Sequence, residues 1–313
     1  MLKLLTAIAL LYVAWTITAP IVRATFAATV APWSFSPRLA RLAFDQVGGI
    51  AWELITGFVT APSSTQTALT MSTGDSLAVR AGAPDKLALL VQAWTDQQTA
   101  GVLRIKSPRM HDNVQGYRVK SVASEAKPLM PWGRPQRIYP TDVLSVDLSG
   151  SATAGDIETA ALLIYYEDVP GVQGRFITWD EVQKRAVSLL AVENTIALGT
   201  AGGWSGSEAI NSEFDLFKAN VDYALIGYEV DVECAAVAWR GADTGNVRVG
   251  GPGDELAKHL TGEWFKRLAV GYGIPAIPVF NSLNKAGISI DGAQDENGAD
   301  PLVTSIFVEL SPR

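Results

Sequence analysis

Histidine and cysteine are almost missing from this chain: two of the first and one of the second among 313 residues. A lone cysteine, Cys234, excludes an intrachain disulfide. It stands in the strand-like run Val232–Val237 and reads as a buried thiol rather than a nucleophile. Two histidines, His111 and His259, cannot supply a metal centre built on a His-x-His pair with a further ligand in each of two domains. There is no Gly-x-Ser-x-Gly elbow, no zinc-protease helix and no paired Cys-x-x-Cys. Charge is scarce as well. Only 18% of residues are charged, against roughly 25% in an ordinary soluble domain. With a net charge of −7 and no cluster of Lys and Arg, a specific nucleic-acid partner is not expected. These absences favour a structural or binding role, and no catalytic residue, cofactor or metal ligand is assigned. A pair of carboxylates converging in a cleft, as in a hydrolase, stays open.

What the chain has instead is apolar residues, 48% of the total, and a mean hydropathy of +0.17. Such a balance points to membrane contact, extensive subunit interfaces, or both. The run Leu4–Val22 holds 19 uncharged residues between Lys3 and Arg23. As a helix it would measure about 28 Å, close to the ~30 Å hydrocarbon core of a bilayer. Leu4, Leu5, Ile8, Leu11 and Trp15 are its expected membrane-contacting residues, each worth roughly 1.5–3 kcal/mol on leaving water. A cleaved signal peptide is the rival reading. Arg23, Arg38 and Arg41 follow the run, a bias that keeps the bulk of the chain in the cytoplasm if the run spans.

A second helix is expected from Pro37, with Ser36 as its N-cap and Leu39, Leu42, Val47, Ile50, Leu54 and Phe58 on one side. It would lie on the membrane, through Leu39, Leu42 and Ile50, or pack under the first β-domain. The stretch 61–65 reads as a linker, which makes residues 1–62 dispensable for folding. The expected division is a membrane-associated segment at 1–65, β-domains at 66–170 and 213–313, and a helical linker at 171–212. The capping box Thr178-Trp179-Asp180-Glu181 starts a helix to about Leu198. A further helix is expected from Asp254 to Val270, with His259 beside its apolar stripe. The Gly-rich stretch 199–206 follows a helix rather than a strand and lacks the Gly-Lys-Ser/Thr of a phosphate loop. The acidic loop 291–300 reads as a solvated turn, since its spacing is not that of a calcium loop.

The β-domains are marked by repetition. Ala93-Trp94 followed by Gly101–Pro108 returns as Ala238-Trp239 followed by Gly245–Pro252; Val146-Asp147 returns as Ile290-Asp291; Ile164–Glu167 before Pro170 returns as Ile306–Glu309 before Pro312. The offsets of 145, 144 and 142 residues drift only by small loop deletions. Each block is rich in branched and aromatic residues between Gly, Pro, Asp and Ser clusters, as strands are. Trp94 and Trp239 are expected in the repeated core. Arg104 and Arg248, flanked by branched residues, are expected on solvated outer faces.

Two similar β-sandwiches behind an apolar N-terminus resemble the double jelly-roll major capsid proteins of tailless icosahedral viruses, the lineage of the adenovirus hexon and of membrane-containing bacteriophages. The resemblance covers residues 66 to 313 and is carried by the repeated blocks above. It implies an all-β fold of two tandem jelly rolls and a homotrimer with a pseudo-hexagonal outline. Trimers would tile a shell against neighbouring capsomers, with minor capsid or vertex proteins as further partners. It also implies an internal lipid membrane met by the N-terminus, and assembly in the host cytoplasm beside that membrane. The alternative is a membrane-anchored binding protein with two β-sandwich domains, for carbohydrate or a cell surface.

Overall fold

Uninterrupted apolar runs such as Ala160–Tyr166 and Ala235–Trp239 are too continuous for a sheet with one wet face. They form strands covered on both faces. The computed structural model describes residues 49–60, 65–82, 85–95, 101–110, 113–121, 135–149, 156–212, 215–254, 258–294 and 299–312. The apolar run with Leu4, Leu5, Ile8, Leu11 and Trp15, the positions Leu39 and Leu42, and His111 lie outside the described residues. The unit that begins at Gly49 is predominantly β, with every strand pair antiparallel.

The first half comprises β1 (Gly49–Thr60), β2 (Thr67–Ala68), β3 (Thr70–Met71), β4 (Ala88–Thr95), β5 (Gly101–Lys106), β6 (Tyr117–Ser121), β7 (Gln136–Ile138), β8 (Ser145–Ser149) and β9 (Ile157–Val169). Its sheets run β3-β1-β9-β4-β7 and β2-β8-β5-β6. The second half comprises β10 (Phe176–Ile177), α1 (Trp179–Arg185), β11 (Ala186–Thr195), β12 (Gly203–Ala209), β13 (Asp222–Val230), β14 (Cys234–Arg240) and β15 (Val249–Gly253). It continues with α2 (Lys258–Thr261), α3 (Trp264–Tyr272), β16 (Ile277–Asn281), a 3-10 turn at Ser282–Gly287, β17 (Ser289–Gln294) and β18 (Leu302–Leu310). Its sheets run β10-β16-β13-β18-β11 and β12-β17-β14-β15.

With β3 and β10 set aside, the two halves share one plan. In each, the first, eighth, third and sixth strands form one sheet and the second, seventh, fourth and fifth form the other. The duplication read from the sequence is therefore present in the strand order, and the pairs β8 with β17 and β9 with β18 match the repeated Asp and Glu blocks. The tryptophan block is one strand out of register. Trp94 lies in β4, whose counterpart is β13, whereas Trp239 lies in β14, the counterpart of β5. Both are largely apolar strands with Trp as the penultimate residue, and composition alone does not separate them.

The sheets stack in four layers. Alternate residues of the β1-β9-β4 sheet face in opposite directions. Ala51, Ile55, Leu90, Leu162 and Ile164 join Leu103, Ile105, Val146 and Leu148 in the core of the first half. Trp52, Leu54, Val91, Trp94, Leu163 and Tyr165 join the second half's β14 residues in a shared core. Beyond the β12-β17-β14-β15 sheet, Trp239 packs at a tilt against Tyr228 of β13, 4.9 Å between centroids, and donates to Ser305 Oγ of β18 at 3.1 Å.

Three expected elements differ. Of the helix expected from Pro37 to Phe58, the described part, from Gly49, belongs to β1, which pairs with β9 from Gly49 to Thr60. Trp52, Ile55, Phe58 and Val59 fit a strand as well as a helix, and the long pairing with β9 decides. Residues 61–65 thus follow a core strand rather than preceding the fold. The helix from Thr178 keeps its cap, Thr178 Oγ1 accepting from the Glu181 N–H at 3.4 Å, but ends at Arg185. From Ala186 the chain pairs with β18, so β11 and β12 of the second sandwich occupy the expected linker. The helix of residues 254–270 is interrupted at Gly262, whose carbonyl lies where a Cβ on Gly227 would come within 2.2 Å.

Candidate functional site

The junction of the two halves holds a connected group of charged side chains. Asp75, in the loop after β3, accepts from the Thr56 N–H and from Trp204 Nε1, each at 2.7 Å, and pairs with Arg248 Nη1 at 3.1 Å. Arg248 extends to Asp291 at 2.8 Å and lies over the Trp204 ring, 4.8 Å from its centroid. Asp291 also binds Arg240 at 3.2 Å and accepts from Ser207 Oγ at 2.9 Å and Ser289 Oγ at 3.1 Å. The Asp75 and Asp291 side chains are 5% and 2% exposed. Burial pushes the Asp75 carboxyl up, outweighing the Thr56, Trp204 and Arg248 contacts that pull it down. All four carboxylate oxygens are engaged. The arrangement is a clasp and presents no free nucleophile or acid.

The chain is shaped to let this clasp close. Gly203, at φ +125°, stands where a Cβ would lie 2.1 Å from Ser72 Oγ. The Gly-rich stretch before Trp204 thus provides close approach between halves. Trp52 Nε1 donates to the Pro275 carbonyl at 2.9 Å, Trp94 Nε1 to the Ala235 carbonyl at 3.0 Å, and Gln92 Nε2 to Tyr272 Oη at 2.7 Å. The Leu54 N–H donates to the Arg248 carbonyl at 2.8 Å, tying the outer edge of β1 to the residue before β15. A second cluster holds one end of the second half: Asp222 accepts from Arg175 and Asn281, both at 2.8 Å, with Arg185 at 3.5 Å. Burial pulls the Asp222 carboxyl up, but Asn281, Arg175 and Arg185 together hold it below its usual range.

The two outermost sheets face away from this junction. On the first, Leu103 and Ile105 are buried while Arg104 and Lys106 alternate outward and bridge Asp147 at 2.9 and 3.0 Å. Beside them Arg118 and Lys120 of β6 are exposed and have no ionic partner among the described residues. On the other outermost sheet, β11 exposes Val187 at 59% and Leu189 at 71%. Glu193 and Glu229, both exposed, flank Thr304 in register on that face.

Of the residues singled out in the sequence, Trp94 and Trp239 are buried, at 1% and 0% exposure, though in different layers. Ile50 is a half-buried residue of β1 packed against the shared core. Cys234 is buried in β14 and His259 is exposed. Neither arginine stands on the solvated face expected of it: Arg104, 23% exposed, bridges Asp147 on an outermost sheet, and Arg248, 19% exposed, lies inside the clasp. Asp291 of the acidic loop belongs to β17 and the same clasp. Sequence reading missed the partnership of Asp75, Trp204 and Arg248, which joins positions up to 173 residues apart. The available signal was the Gly202-Gly203 pair before Trp204.

No protein-family profile matches the chain, and no curated protein matches it. Among solved structures, the crystal structure of PBSX exported protein XepA aligns over 83% of this chain and 86% of its own, at 9% identity and a TM-score of 0.24. At that score the likeness assigns neither fold nor function.

Proposed function

We propose that the protein is a structural shell subunit, a double jelly-roll major capsid protein whose chains associate as trimers of six lobes. The observation that carries this reading is the strand order. The division first-eighth-third-sixth against second-seventh-fourth-fifth, found in both halves, supports reading each half as a jelly roll, a fold recurrent in viral capsids. The clasp at Asp75, Arg248 and Asp291 supports it further, because two lobes of a capsomer must act as one rigid block. Sparse charge suits broad contacts between copies. On this reading the apolar N-terminus meets the internal membrane of a bacteriophage-type virion, and assembly takes place beside that membrane in the host cytoplasm. Neighbouring capsomers and minor vertex proteins are the other partners.

The test is the mass of the full chain in mild detergent, by light scattering, followed by negative-stain microscopy. Trimers with hexagonal outlines are expected. A protein that stays monomeric at high concentration overturns the reading in favour of a membrane-anchored binding protein.

A further inference from the structure

The duplication leaves two surfaces of the chain in an unequal state. Inside the chain, the β1-β9-β4-β7 sheet of the first half seats on the β12-β17-β14-β15 sheet of the second. The outer edge of β1 is covered there: Leu54 N–H reaches the Arg248 carbonyl, the Ile50 carbonyl accepts from the Gly174 N–H at 3.1 Å, and the Thr56 carbonyl accepts from Ser72 at 3.1 Å. The counterpart of β1 is β11. From Ala186 to Asn194 its one strand partner among the described residues is β18, and it exposes Val187 and Leu189 beside that open edge. A ten-residue edge strand with exposed branched side chains is a template for pairing or docking. The counterpart of the seated β12-β17-β14-β15 sheet is β2-β8-β5-β6, on whose outer face no other sheet of the chain is seated among the described residues.

We infer that these two surfaces are the halves of one intermolecular contact: the β11-β18-β13 face of one copy docks on the β5-β6 face of a second copy, repeating between chains the packing that joins the two halves within a chain. Charge selects this pairing. The β11 side carries Glu193 and Glu229, neither with an ionic partner among the described residues, and the β6 side carries Arg118 and Lys120, equally unpaired. Opposed like faces would repel; the crossed pairing matches acid to base around the apolar Val187 and Leu189. The contact is heterologous, so it generates either a closed ring or an open filament. Its closure at three copies rests on the shell reading, whereas the contact itself rests on the strand edges and charges.

The experiment uses the full chain in mild detergent. Glu193→Lys with Glu229→Lys should disperse the assembly to monomers, raising the midpoint concentration of association at least tenfold. Adding Arg118→Glu and Lys120→Glu to the same chain restores complementarity and should restore the wild-type mass. All four side chains are exposed, and a thermal melt within a few degrees of wild type verifies the fold. If the half-reversed variant stays assembled as a trimer, the contact is overturned and the shell reading stands. If the wild type forms open chains that the half-reversal disperses, the contact stands and closure at three fails. Dispersal that the fourfold reversal does not repair overturns the contact, since any charge insertion would then have sufficed.

Discussion

Replacing Arg248 with Met removes the base shared by Asp75 and Asp291 while leaving the backbone carbonyl that Leu54 uses. Asp291 keeps Arg240 at 3.2 Å, but Asp75 loses its one basic partner among the described residues and stays 5% exposed. Removing one member of a buried ion pair costs about 3–5 kcal/mol. Asp75 retains the Thr56 N–H and Trp204 Nε1, which argues for the lower end of that range, about 3 kcal/mol. The guanidinium's stacking on Trp204 adds roughly 0.5–1 kcal/mol. The expected loss is therefore about 3.5–4 kcal/mol, or a fall in Tm of roughly 7–16 °C for a unit of this size. Denaturant unfolding and calorimetry measure it. Because the clasp joins the halves, the single transition should also broaden toward two.

Asp75→Asn in the Arg248→Met background removes the stranded charge and should recover more than about 1.5 kcal/mol, a coupling a double-mutant cycle isolates. The pH response has a definite sign. Burial raises the Asp75 carboxyl in the folded state, so the folded protein holds that proton more tightly than the unfolded chain. Arg248→Met raises it further, and the variant should regain stability as pH falls through that raised value. A loss below about 1 kcal/mol, or a coupling near zero, would refute the clasp as the element that joins the halves.

Trp94→Ala should cost roughly 3–5 kcal/mol by denaturant unfolding, since it empties a site 1% exposed and breaks the indole bond to Ala235. Chains that begin at Gly49 should keep the β-type far-ultraviolet spectrum of the full protein, and chains that begin at Ser63 should lose cooperative unfolding, because the latter lack β1 with Trp52 and Leu54. Asp222 is held below its usual range in the fold, so its contribution is present above the ordinary value of 3.8 and disappears as pH falls through the lowered one. Asp222→Asn should flatten that acid limb in a series of thermal melts.

The sequence carries the β character and the duplication in local signals: branched runs between turn clusters, and an Asp and a Glu block that recur at matched strands. It does not carry the boundary of the first sandwich. Gly49–Thr60 has apolar residues at spacings that suit a helix and a strand alike, and only pairing with β9, more than a hundred residues away, settles the choice. The same conflict explains β11, where Leu189, Leu190 and Val192 continue the stripe of α1 but find β18 instead. The tryptophan block misled for a related reason: β4 and β14 are both covered on two faces, so both are largely apolar and lack the alternation that would have fixed their register.

That two-faced burial also separates the two copies of the arginine block. Asp147 and Asp291 occupy equivalent strands, and each is held by two bases, Arg104 with Lys106 in one half and Arg240 with Arg248 in the other. Along the chain the two settings look alike. In space the β12-β17-β14-β15 sheet has the first half seated on it, so its aspartate is 2% exposed and its arginine has been recruited to Asp75 across the junction. The β2-β8-β5-β6 sheet has nothing from its own chain seated on it among the described residues, and its aspartate remains 13% exposed. A surface pair of this kind contributes little to stability by itself. The same group of charges becomes decisive once a neighbour removes the water, as the covered copy within the chain already does.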